Sequence, residues 1–153
     1  MKKLIIPLIG LFLMLAFTTN AQEVEMKDGH FYKKGMLYTG KHTEYYENGN
    51  PKIVMNIKNG VEDGEVITYF ENGQKHELRN YTEGQKDGLW TNWNKEGVKV
   101  AEARYKDDKK DGDWYIWDDE GNLLYEMHYT AGDKSGTWKM YDKDGNLKNE
   151  RKY

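Results

Sequence analysis

The residues of this chain that could do chemistry are few, and their spacing argues against a reaction centre. Four histidines, His30, His42, His76 and His128, match no metal-ligand pattern, and there is no cysteine to complete one. Ser135 is the only serine, and Asp133-Lys134-Ser135-Gly136 lacks the context of a nucleophile elbow. Carboxylates are abundant but return at equivalent places in every segment, which is the wrong distribution for a single acid/base pair. Asp118-Asp119-Glu120-Gly121-Asn122 and Asp142-Lys143-Asp144-Gly145-Asn146 are similar to the opening of a calcium loop. Such a loop needs a bidentate glutamate at its twelfth place, and here that place is Tyr129 or Tyr153. The expectation is a non-enzymatic chain with no catalytic residue, no metal and no cofactor.

The residues that do recur are glycines and aromatics. Gly40, Gly64, Gly88, Gly112 and Gly136 stand 24 residues apart, and Gly49, Gly73, Gly97, Gly121 and Gly145 follow each by nine. A fixed period without insertions marks an array of small stacked units. Two places after the first glycine come His42, Val66, Trp90, Trp114 and Trp138, and five places after it Tyr45, Tyr69, Trp93, Trp117 and Tyr141. Each second segment ends on Ile57, Tyr81, Tyr105, Tyr129 or Tyr153. Short runs rich in aromatic and β-branched residues, bounded by Gly, Asn and Asp, are strands. The second glycine follows Asn, Asp or Glu, which suits a tight turn at positive φ, and the linkers such as Lys58 to Gly64 read as wider turns. Each unit is therefore expected to run strand, tight turn, strand, wider turn.

The chain divides accordingly. Residues 1–21 read as a signal peptide: Lys2 and Lys3 precede the 14-residue apolar run Leu4 to Phe17, and Thr19-Asn20-Ala21 offers a small-residue cleavage site. The run is shorter than the ~20 apolar residues of a permanent span. A secreted or periplasmic protein beginning at Gln22 is expected. Residues 22–39 form an entry hairpin, and five repeats follow at 40–63, 64–87, 88–111, 112–135 and 136–153, the last truncated. From Gln22 onward the chain holds 21 basic and 26 acidic residues without blocks of one sign, which gives it no reason to seek nucleic acid. Leu, Ile, Val and Phe number only 18 of those 132 residues, too few to fill two packed layers. Twelve tyrosines and five tryptophans in register with the glycines exclude simple disorder.

The pattern G-x-W-x-x-[WY]-x-x-x-G, followed by a strand ending in Tyr and a G-x-x-D-G linker, resembles the variant MORN repeat (membrane occupation and recognition nexus), in the form found in secreted YwqK-type antitoxin-like chains. Lys34-Gly35 and Tyr38-Thr39-Gly40 also resemble the start of such chains. His42 and Val66 depart from the pattern, standing where it has tryptophan. The resemblance implies an all-β fold, an elongated single antiparallel sheet of stacked β-hairpins. The low aliphatic content argues independently for one layer.

Positions two and five have opposite parity in a regular strand, so either both faces carry aromatics or a bulge intervenes. Trp90, Trp93, Trp114, Trp117, Trp138, Tyr45, Tyr69 and Tyr141 are candidates for a binding face or a structural ladder, held in place by turns at Gly49, Gly73, Gly97, Gly121 and Gly145. Packing explains a recurring tryptophan without a ligand. Two functions follow: a scaffold for a protein partner, with an antitoxin or immunity role outside the inner membrane, or an envelope-associated module whose tryptophans stack on polysaccharide. At the last strand, Lys148 to Lys152 is polar, which suits a sheet edge that must not recruit another chain.

Overall fold

The computed structural model describes residues 23–153, all strand, turn and loop. The expected signal peptide, 1–21, lies outside the described residues. Among them the strands are β1 (Glu25–Lys27), β2 (His30–Lys33), β3 (Met36–Leu37), β4 (Gly40–Tyr45), β5 (Pro51–Lys58), β6 (Val61–Tyr69), β7 (Lys75–Thr82), β8 (Gln85–Lys86), β9 (Gly88–Trp93), β10 (Lys99–Lys106), β11 (Lys109–Lys110), β12 (Gly112–Trp117), β13 (Leu123–Thr130), β14 (Asp133–Tyr141) and β15 (Leu147–Lys152). β1 to β3 form a small sheet of their own, and β4 to β15 form one antiparallel meander, in which the two-residue strands β8 and β11 pair only with β7 and β10. The all-β expectation of stacked hairpins in one large antiparallel sheet holds for the repeats, with the entry strands β1 to β3 in a sheet apart from it.

The turn assignment is reversed. Asn59-Gly60, Glu83-Gly84, Asp107-Asp108 and Ala131-Gly132 are two-residue turns with both φ values positive, between 47° and 103°. Each is closed by a direct pair such as Lys58 with Val61 or Thr82 with Gln85. Two positive φ angles match the right-handed twist of the flanking strands, so the linker is the tight hairpin. The connection through Gly49 is the wider one. Tyr45 pairs with Pro51, and inside that loop the Tyr46 amide donates to the Asn50 carbonyl at 2.8 Å and the Gly49 amide to the Tyr46 carbonyl at 3.0 Å. The linkers looked wide because Gly64, Gly88, Gly112 and Gly136 read as strand starts. In the fold Gly88 and Gly112 do begin β9 and β12, whereas Val61–Tyr69 and Asp133–Tyr141 continue through Gly64 and Gly136, with φ of 100° at Gly64 and 66° at Gly136.

Every unit also carries one extra residue on its second strand. Pairing steps from Ile116–Tyr125 to Trp117–Leu123 and so passes over Leu124. The same step passes over Lys52, His76, Val100 and Lys148 in the other units, always 24 residues apart. A bulge placed identically in each repeat adds the same increment of twist each time, which keeps the array regular.

The buried cluster is small and lies at one end, Tyr129 being the buried hydrophobic residue found outside it among the described residues. Phe31, Met55, Ile57 and Val66 form it, with Val24, Tyr38, Ile53 and Tyr81 packed around them. The entry hairpin therefore closes over one face of the first two units. It is fastened there by the Phe31 amide to the Gly60 carbonyl and the Gly60 amide to the Tyr38 carbonyl, both at 2.8 Å. Val66, only 4% exposed, occupies the tryptophan place of its unit. The departure seen in sequence thus coincides with the one stretch where this face is already covered.

Candidate functional site

From the third unit onward that same face is open, and aromatic rings run along it. Tyr81, Trp90, Tyr105, Trp114, Tyr129, Trp138 and Tyr153 form an unbroken series with neighbouring centroids 4.9 to 5.5 Å apart and planes inclined by 50° to 62°. These are the tilted and edge-on geometries that the ring quadrupole favours, each adding roughly 0.5–1.5 kcal/mol beyond area burial. The tryptophans come from the first strand of a unit and the tyrosines from the second, so each inner ring touches one neighbour in its own unit and one in the adjacent unit.

Each indole N–H is also satisfied, by the equivalent carbonyl of the preceding unit. Trp90 Nε1 donates to the Asn80 carbonyl at 3.0 Å, Trp114 Nε1 to that of Arg104 at 3.0 Å and Trp138 Nε1 to that of His128 at 2.9 Å. A half-buried indole needs such a partner. Burial pushes the phenol pKa of Tyr81 and of Tyr105 above the ordinary value; beside Tyr81 the Arg79 guanidinium acts in the opposite sense.

One part of this ladder escaped the sequence reading. Lys86 Nζ lies 4.9 Å from the Trp90 ring centre and 5.2 Å from that of Tyr105. Lys110 repeats the contact at 4.3 and 4.7 Å on Trp114 and Tyr129, and Lys134 at 4.5 and 5.0 Å on Trp138 and Tyr153. Each ammonium sits over the negative faces of two rings. The signal was present, since a lysine precedes Gly88, Gly112 and Gly136 by two residues, but surface lysines in a charged linker carry no mark of their role.

The register resolves the parity question. Trp114 faces Met127 across the β12–β13 pair, whereas Tyr115 faces Glu126, so adjacent residues of the strand point to opposite sides. Trp90, Trp114 and Trp138 belong to the ladder face, and Trp93, Trp117 and Tyr141 to the other. Both faces carry aromatics, and the bulge lies on the partner strand. On the opposite face Tyr115 stacks on Trp117 at 5.6 Å and 30°, and Lys99 Nζ sits 4.9 Å from the Trp117 ring centre while pairing with Glu102 at 2.8 Å. Glu126 accepts from the Tyr141 hydroxyl at 2.7 Å and pairs with Lys139 at 3.2 Å. Those donors hold its carboxyl below the ordinary glutamate range. Tyr69, further along the same row, is half-buried, and Tyr45, in the first unit, is 64% exposed.

The loops around Gly97, Gly121 and Gly145 are built on one side chain each. Asn94 Oδ1 accepts from the amides of Glu96 and Val98, Asp118 Oδ1 from those of Glu120 and Asn122, and Asp142 Oδ1 from those of Asp144 and Asn146. Asp118 and Asp142, which open the stretches similar to a calcium loop, thus spend Oδ1 on backbone N–H groups of their own turn and Oδ2 on the Asn122 and Asn146 side-chain amides. Around Gly49 and Gly73 the corresponding places hold Tyr46 and Phe70, and Asn48 and Asn72 cap the turn instead. Among the described residues no three His, Asp or Glu side chains are grouped to hold a metal ion, and no helix is long and apolar enough to cross a membrane.

A search of curated proteins finds no match. The family model described as "MORN repeat variant" matches residues 38–59, 62–83, 110–131 and 134–153. The stretch left between the matches folds as the same hairpin, with Trp90 and Tyr105 in ladder positions. With more than half of its length matched and the hairpin array in place, the chain belongs to the MORN repeat variant family.

Proposed function

We propose that the protein is an exported, non-enzymatic scaffold that holds a protein partner on its open sheet, in an antitoxin- or immunity-like role. The observation that carries this reading is the uncovered ladder face of the last three units. Ile116, Tyr125 and Tyr153 remain 37%, 38% and 41% exposed there, on the side that the entry hairpin covers in the first two units. A flat single-layer sheet offers contact area and no enclosed reaction chamber. The basic start, apolar run and Thr19-Asn20-Ala21 support export.

Affinity capture with the purified protein from an envelope extract tests the reading. A discrete protein retained in stoichiometric amount is expected, and retention of polysaccharide alone would overturn it. N-terminal sequencing of the exported form is expected to begin at Gln22.

A polysaccharide-binding reading rests on the opposite face. Trp93, with Phe70, His76 and the carboxylates Glu96, Asp119 and Glu120, lines an open shelf of about 630 Å³. Trp117 and Tyr141 continue its row. Trp90, Trp114 and Trp138 do not serve this reading, because their ring faces are taken up by tyrosines and lysines. Loss of polysaccharide retention in Trp93→Ala with an unchanged melt would favour it.

A further inference from the structure

We infer that the ladder face of the last three units recognises an acidic, apolar helical segment of the partner. This rests on the protein-scaffold reading and adds the chemistry of the partner. Three observations lead to it.

The first is charge. Among the described residues from Trp90 to Tyr153 the register places no carboxylate on the ladder face, while Lys110, Lys134 and Arg151 lie over its rings; at the near end of the strip Lys86 and Arg79 lie over Trp90, and Glu77, which shares the face there, is paired with Arg79 and accepts from Asn92. The opposite face of the same units mixes both signs, with Glu102, Asp113, Glu126 and Glu150 among Lys99, Arg104, Lys139 and Lys152. A chain with net charge −3 thus presents one cationic strip. Complementary potential is what directs a partner to one face and fixes its register.

The second is the row beside the lysines. Ile116, Tyr125 and Met140 follow one another across the strands, next to a hollow of about 220 Å³ lined by Tyr125, Met127, Trp138, Met140, Arg151 and Tyr153. A hollow of that size takes one large apolar side chain, the usual form of an anchor in a protein contact.

The third is spacing. Like positions in successive units are two strands apart, roughly 10 Å. Seven residues of an α-helix rise about 10 Å and return to the same side. A helix lying along the array with one acid per seven residues therefore meets Lys86, Lys110 and Lys134 in turn, and its apolar residues meet Ile116, Tyr125 and Met140 beside the last two of them. Carboxylates rim the face on both sides, at Glu96, Asp119 and Glu120 in the loops and Asp107, Asp108 and Asp133 in the linkers. A helix about 10 Å wide fits between those rims, whereas a flat anionic bilayer would press against them.

The test uses the protein purified from expressing cells and a synthetic three-heptad helical peptide with leucines on one side and one glutamate per heptad, beside versions with glutamine or lysine at those places. The glutamate peptide is expected to bind about tenfold more tightly than the glutamine peptide at low salt, with the difference shrinking as salt rises. The double variant Lys110→Glu with Lys134→Glu is expected to prefer the lysine peptide. Ile116→Glu, which leaves every ring of the ladder in place, is expected to lose all three peptides while its melt stays cooperative and within a few degrees of the wild type. Equal affinity for the glutamate and glutamine peptides overturns the inference. So does binding to phosphatidylglycerol vesicles or polygalacturonate with no peptide bound, and so does a dimer that Ile116→Glu abolishes. A cellular partner captured equally by the wild type and the double variant overturns the face assignment while the scaffold reading stands. Charge-dependent peptide binding without any cellular protein captured supports the face and counts against the scaffold reading alone.

Discussion

The two ends of this sheet solve the same burial problem with different chemistry. In the first two units the face is covered by a hairpin, and the side chains beneath are Met55, Ile57 and Val66. In the last three it is open, and the equivalent rows hold Trp, Tyr and Lys. Aliphatic side chains gain by leaving water and need a lid to do so. Aromatic side chains gain from one another while still half-exposed, and a lysine stem laid across them covers apolar surface with its ammonium in water. A single layer without a lid can therefore be stable only where its rings touch in sequence. That explains why tryptophan disappears from the repeat where the entry hairpin arrives.

The largest expected effect comes from breaking the open end in its middle. Trp114 touches Tyr105 and Tyr129, carries Lys110, and donates to the Arg104 carbonyl. Trp114→Ala is expected to lose about 3 kcal/mol, the lower end of the range for a buried aromatic, because the ring is half-buried. In a nearest-neighbour array the loss is local first, so hydrogen exchange should quicken from Gly112 to Tyr153 while Pro51–Tyr69 keeps its protection. Uniform quickening would show that the two ends fold as one unit.

The covered end is sharpened by Ile57→Ala. Ile57 is 3% exposed, and truncation there is expected to cost about 2–4 kcal/mol. The consequence differs in kind from the Trp114 case, because the entry hairpin should detach. Limited proteolysis is expected to cut between Lys27 and Lys41 in Ile57→Ala and not in Trp114→Ala. An intact entry segment in both variants would mean that the backbone bonds at Gly60 hold it without the core.

Substitutions in the turns come next. Gly121 has φ of 87° and Asp108 of 64°, and a β-branched side chain is strained at both. Gly121→Val and Asp108→Val are each expected to cost about 1–2 kcal/mol by thermal melt. A naturally occurring Asp suggests tolerance at that place, yet Asp108 also accepts the Lys86 amide through Oδ1 at 2.8 Å, which valine would abandon. A much milder effect at Asp108 would show that the aspartate relaxes this turn.

Much of this fold was legible because its signals are periodic. Glycines and aromatics returning every 24 residues specify the hairpin, the single sheet and the ladder positions without any long-range information. The tight turn was misplaced because Asn48-Gly49 and Asn59-Gly60 are the same dipeptide locally. What separates them is the pairing of Lys58 with Val61 against that of Tyr45 with Pro51, and that is a property of the sheet. The division of the tryptophans between two faces hinged on whether a bulge fell within their strand or on its partner. The lysine row was invisible for a further reason: a cation over a ring depends on where three neighbouring strands place it, and composition records only another charged linker.

The smallest effect expected sharpens the comparison by pH. At the head of the wider loop the five units place Tyr46, Phe70, Asn94, Asp118 and Asp142, so ionisable caps occur only in the last two. The carboxyl of Asp118 is held below the ordinary value by the Asn122 side chain first and then by turn amides, and that of Asp142 by the Asn146 amide first. Glu126, in the same units, is held down by the Tyr141 hydroxyl first and then by Lys139. A carboxyl whose pKa is lower folded than unfolded contributes stability that is complete above the unfolded value and is lost as pH falls through the folded one. With unfolded values near 4, the loss occupies the window below about pH 4. The last two units should therefore open first in acid, with hydrogen exchange from Gly112 onward quickening ahead of Pro51–Tyr69. Replacing both caps, Asp118→Asn with Asp142→Asn, keeps an oxygen acceptor like that of Asn94 and removes the titration. This double variant is expected to melt close to the wild type at neutral pH and to lose most of the difference between the two ends in acid. If the ends still separate as strongly, the acid sensitivity lies in Glu126 and its Tyr141–Lys139 pair, and Glu126→Gln should then remove it.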